Sequence, residues 1–172
     1  MGAALLAQTG GPVQYAADGK MLLPKGYREW VFLSSGINMT YGPAAGTSDH
    51  PRFENVFVNP EAYRTFLRTG TWPDKTVMIL EVRDSASKVS INKDGRVQTG
   101  VVAHEAHVKD SARGGWVFYG FQNQSNPGTP FPKTADCFSC HEKNGAVDTT
   151  FVQFYPTLAE IAKSKGTFKS TE

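Results

Sequence analysis

Cys137, Cys140 and His141 carry the most specific chemistry in this chain. They stand in a Cys137-Phe138-Ser139-Cys140-His141 run, and Cys-x-x-Cys-His is the spacing of a c-type haem attachment site. Each thiol adds to one porphyrin vinyl group, and the imidazole that follows takes one axial position on the iron. Two intervening residues span the vinyl groups while His141 turns under the metal. These are the only two cysteines in 172 residues, so none is left for a structural disulfide. Two blander readings are a thioredoxin-like redox pair and half of a zinc site. Zinc would call for a second ligand pair at matching spacing, which is absent. A redox pair does not require the histidine, and no βαβ pattern surrounds the motif.

An electron carrier usually adds a strong second axial ligand, often Met. The 31 residues after His141 contain neither Met nor His. Met21, Met39, Met78, His50, His104 and His107 remain upstream as candidates. His104 and His107 are three apart on one predicted strand and must face opposite sides of it, so at most one of them looks at the iron. The sequence therefore favours a five-coordinate iron with an open distal face, where pocket polarity decides between ligand binding and chemistry.

The rest of the chain must position that motif. It has 40% hydrophobic and 20% charged residues, ordinary for one folded domain. The net charge of +2 gives no argument for nucleic acid or an anionic membrane as partner. No apolar run approaches the roughly 18 residues of a membrane span. Residues 1–12 read as a disordered tail or leader remnant, and residues 13–172 as a single haem domain. Thioether attachment in bacteria takes place outside the cytoplasm, so export to the periplasm is expected.

Apolar and aromatic runs predict strands over residues 30–33, 53–58, 76–83, 98–108 and 115–122. Residues 34–51 read as a long loop rich in Gly, Ser, Thr and Pro. Asn59-Pro60-Glu61 reads as a helix start, with Asn59 capping free amides, Pro60 at the first helical position and Gly70 as the stop. Residues 148–154 and 156–165 read as helical pieces, with Pro156 starting a new turn. The expected fold class is α+β: mainly an antiparallel sheet with a few packed helices and the haem motif near the C-terminus.

Several stretches resemble the cytochrome P460 family. They are Leu22-Leu23-Pro24-Lys25-Gly26-Tyr27-Arg28-Glu29-Trp30-Val31, Val56-Phe57-Val58-Asn59-Pro60-Glu61-Ala62-Tyr63, Glu105-Ala106-His107-Val108-Lys109-Asp110, Trp116-Val117-Phe118-Tyr119, and the Cys137 to His141 run followed by Phe151-Val152-Gln153-Phe154-Tyr155-Pro156. The matches run in order from about residue 15 to about residue 166. The resemblance implies a mainly β homodimer with one haem c per subunit, held by Cys137 and Cys140 with His141 as axial ligand. Family members either oxidise hydroxylamine or bind nitric oxide and carbon monoxide.

Departures from the family pattern narrow the choice. The oxidising members carry a lysine cross-linked to the porphyrin edge, and its position here is Leu80, which has no nucleophile. Lys75, Lys88 and Lys93 are near in sequence but read as solvated turn charges. A distal arginine of those enzymes falls at Glu54, with Arg52 two residues away. Their distal carboxylate matches Glu105, a candidate proton acceptor. Glu54 on the same wall would set two carboxylates together and favour a shared proton. Leu80 makes that side apolar, which suits neutral diatomic ligands. Phe32, Phe53 and Phe57 are candidates for a steric cap.

The expectation is thus a haem c protein that binds small diatomic or nitrogenous ligands. Hydroxylamine oxidation through Glu105 is the alternative, and electron carriage to a redox partner protein a weaker one.

Overall fold

A computed structural model describes residues 11–41, 50–121 and 126–170. Its centre is a six-stranded antiparallel sheet in which neighbours in space are neighbours in sequence. The strands are β3 (Val31–Ile37), β4 (Phe53–Val58), β5 (Val77–Ala86), β6 (Val97–Asp110), β7 (Gly115–Phe121) and β8 (Thr129–Pro130). A two-stranded ladder of β1 (Gln14–Tyr15) and β2 (Met21–Leu22) precedes them. Three helices follow the pattern α1 (Pro60–Thr69), α2 (Asp136–Asn144) and α3 (Pro156–Ser164). The α+β, mainly β architecture is therefore as the sequence indicates.

Several boundaries differ. The predicted loop over residues 34–51 gives up its first part to β3, because Ser35 and Gly36 find ladder partners in Asn55 and Glu54. A bulge after Phe32 lets this Ser- and Gly-containing stretch stay paired. Thr129 and Pro130, expected in a loop, add a short edge strand to β7. Of the helical piece predicted over residues 148–154, only a 3-10 turn at Val152–Phe154 forms; Pro156 then starts α3 as expected. Lys75 is not a solvated turn charge but an ion-pair partner of buried Asp110. The predicted leader remnant lies outside the described residues up to residue 10.

Helix α1 shows local and tertiary chemistry competing. Pro60 occupies its first turn, and Gly70 closes it with φ +74° while its N–H reaches the Phe66 carbonyl. Asn59 does not cap it. Its Oδ1 accepts from Val77 N–H at 2.8 Å instead, so the side chain ties the helix start to β5.

Alternation gives the sheet two different faces. On one, Val77, Ile79, Ala106, Val108 and Tyr119 form a core covered by Met21, Tyr27 and other residues of the N-terminal segment. On the other, Val58 and Met78 pack beneath α1 and α3 through Phe66, Trp72, Val152 and Leu158. The helices cover only one end of that second face, and the uncovered end belongs to the site. Among the described residues, no helix is long and apolar enough to cross a membrane.

Candidate functional site

The motif lies on α2. Helical spacing brings Cys137, Cys140 and His141, at i, i+3 and i+4, onto one face of that helix. Both thiols are free and partly exposed. The helix ends at Gly145, whose N–H bonds the His141 carbonyl at 2.8 Å. A Cβ at Gly145 would lie 2.7 Å from that carbonyl oxygen and 2.8 Å from backbone atoms of Thr149 and Thr150. Only glycine permits this approach, and the approach has a consequence. It brings the Thr149 carbonyl within 2.8 Å of His141 Nδ1.

A carbonyl can only accept, so Nδ1 carries the proton and Nε2 keeps its lone pair for a metal. Thr150 anchors the same segment by accepting from the Trp72 indole N–H at 2.8 Å. The His141 ring is boxed by Phe151, stacked at 4.1 Å and 25°, and by His107 and Phe118 at 4.6 and 4.8 Å. Burial lowers the His141 pKa, with the Thr149 carbonyl partly opposing. An oriented neutral imidazole beside two free thiols fits covalent haem c: Cys137 and Cys140 would carry the thioethers and His141 the iron.

His141 opens onto a cavity of about 300 Å³. Its wall is the uncovered end of the sheet, in rows fixed by the ladder. One row runs Ser34, Val56, Leu80, Glu105, and the next runs Gly36, Glu54, Val82, Ala103. Glu54, Leu80, Glu105 and His141, predicted from sequence as site residues, all line this one cavity. Burial raises the pKa of Glu105. Burial also raises that of Glu54, and the Glu105 charge adds to it. Arg52 does not neutralise Glu54, since it pairs with Asp84 at 3.4 Å.

The suggested aromatic caps are wrong. Phe53 and Phe57 alternate with Glu54 and Val56, so they face the other side of the sheet. Phe32, opposite Phe57 in the ladder, goes with them and meets its ring edge-on at 5.6 Å. The aromatics at the cavity are Tyr41, Phe151, Phe154 and Tyr155. Phe151 and Phe154 fall in the piece predicted to be helical over residues 148–154. The only available signal for their role was their place shortly after the motif.

The candidate sixth ligands also separate. Met21 belongs to the core on the far face. His104 is there too, its Nε2 2.8 Å from the Tyr27 hydroxyl. His107 is on the cavity side, but its ring lies against His141 rather than across the cavity from it. Burial first, and then His141, hold its pKa well below the usual imidazole value. Met78 packs under the helices and also lines the cavity, on the row next to Leu80, and His50 is exposed. Met39 lines the cavity, with its side chain seated where a Cβ of Gly36 would be.

Behind the cavity wall, Glu81 is a structural carboxylate. It takes hydrogen bonds from Tyr27, Arg28 and Arg83, with Arg28 Nε at 2.8 Å. Burial pushes its pKa up, but the bonds from Arg83, Tyr27 and Arg28 outweigh that and bring it down to about 2.

The sequence model of the family described as Cytochrome P460 matches residues 24–152, three quarters of the chain. No curated protein matches it.

Proposed function

Because this chain belongs to the cytochrome P460 family, and is thereby a c-type haem protein, we propose that its iron keeps one axial position open for small neutral ligands such as nitric oxide and carbon monoxide. The observation that carries this choice is Leu80 in the cavity wall, beside Glu105. The aliphatic side chain provides neither a nucleophile for a porphyrin cross-link nor a charge to steady an ionic intermediate. Bound haem would supply the open coordination position and a one-electron store. The chain's own groups orient His141 and exclude water with Val56, Leu80 and Val82.

Hydroxylamine oxidation is the second reading, favoured by Glu105. A half-buried carboxylate whose pKa is raised by burial is a candidate proton acceptor. Electron carriage to a redox partner protein would need Met39 to leave Gly36 and reach the metal.

We further infer a homodimer, supported by the exposed apolar side chains Phe32 and Ile37 on the far face of the edge strand β3. Periplasmic export is supported by the thioether chemistry.

The absorption spectrum of the ferrous holoprotein divides the readings. An ordinary c-type spectrum, with nitric oxide binding and no hydroxylamine turnover in the presence of an electron acceptor, is the expected result. A red-shifted ferrous band with turnover would put the oxidase first. A resting spectrum of two strong axial ligands would put electron carriage first.

A further inference from the structure

Glu54 and Glu105 approach the same cavity from opposite sides of β5. Glu105 stands beside Leu80, and Glu54 beside Val82, so the carboxylates are diagonal neighbours across an aliphatic strip. Neither makes an ion pair among the described residues, and the cation nearest Glu54 in sequence is engaged by Asp84. Binding a neutral diatomic requires no second carboxylate. Serving as proton acceptor for hydroxylamine requires only Glu105. Glu54 is therefore left without a task in either reading.

We propose that Glu54 is a specificity-determining residue: together with Glu105 it gives the cavity a negative charge that rejects anionic ligands and admits neutral ones. The proposal rests on the open axial position argued above. The aliphatic strip of β5 stands between the two carboxylates and no hydrogen bond joins them among the described residues, so each adds its own negative charge where both are ionised, and removing either one takes a charge from the cavity. A ferric haem otherwise attracts small anions such as azide and nitrite. A like charge enclosed with them opposes that attraction, weakening anion binding by about tenfold or more. Nitric oxide carries no charge and does not experience that opposition.

The test is an absorption titration of the ferric holoprotein with azide and with nitric oxide, at a pH where both carboxylates are ionised, in the wild type and in Glu54→Gln, Glu54→Asp and Glu105→Gln. The quantity read is the ratio of the azide Kd to the nitric oxide Kd. In Glu54→Gln it is expected to fall about tenfold or more. Glu105→Gln should move it in the same direction, and Glu54→Asp should stay near the wild type because the charge remains. A ratio in Glu54→Gln within about twofold of wild type, with nitric oxide still bound, overturns the proposal. So does an equal fall in Glu54→Asp, which would assign the effect to shape. Failure of the wild type to bind nitric oxide removes the open axial position itself, and the specificity role with it.

Discussion

Glu105 of β6 sits directly opposite Leu80 of β5 in the antiparallel ladder, so a carboxylate and an isobutyl group are adjoining parts of one cavity wall. Directly opposed residues in such a ladder are close enough for their side chains to interact. Replacing Leu80 by Lys would therefore set an ammonium beside Glu105. The Glu105 pKa, now raised by burial, should fall by about 1–3 units. Infrared titration of the carboxyl band, with Glu105→Gln as the control, reads this directly. An unmoved band would mean that the two side chains do not meet.

The two thiols lie on one helical face with His141. Cys137→Ser or Cys140→Ser alone should leave the haem held through the remaining thioether. The double variant should lose all pigment to acid-acetone. Haem staining of denaturing gels checks each case, and pigment that survives extraction in the double variant would assign the attachment elsewhere.

Gly145 lets the residue 149–150 backbone approach α2. Gly145→Ala forces that segment outward and should destabilise the fold by about 1–3 kcal/mol, the usual effect of overfilling a packed contact. The Thr149 carbonyl would retreat from His141 Nδ1 at the same time. Denaturant unfolding measures the first effect, and a change in the axial-ligand spectrum the second. A variant as stable as wild type with an unaltered spectrum would contradict the geometry.

Glu81 links stability to acid. Its pKa is about 2 in the folded chain against an ordinary value of 4.5, so the unfolded chain binds more protons between these values. Its contribution is fully present above about pH 4.5 and is lost as pH falls toward 2. A shift of this size corresponds to about 3 kcal/mol. Glu81→Gln should remove that acid-dependent loss and destabilise the neutral protein by about 3 kcal/mol. That is the lower end for a broken buried pair, because Arg28 is half exposed. Unfolding free energies at pH 7 and pH 3 for both proteins test it, and parallel pH curves would refute the assignment.

Much of the site could be read before any fold was known, because its defining chemistry is local. The attachment motif is five consecutive residues, and alternation within β6 already put Glu105 and His107 on one face and His104 on the other. The caps could not be read in this way. Phe32, Phe53 and Phe57 have suitable types, and Phe53 and Phe57 lie near Glu54 in sequence, yet strand parity turns all three away from it. Asn59 had the right residue type for a helix cap, but Val77 N–H competed successfully for its side chain. Likewise β3 outlasted its apolar run because β4 offered ladder partners to Ser35 and Gly36.

By itself, then, the sequence determined the attachment motif, the family and the five longer strands, since each depends on residue type and short-range spacing. The tertiary structure decided which side chains share a cavity. Leu80, Glu54 and Glu105 meet there through the pairing of three strands, and Phe151 and the Thr149 carbonyl reach His141 through the close approach at Gly145. Those relationships depend on ladder register and chain packing, which couple residues far apart along the chain and leave no local pattern in it.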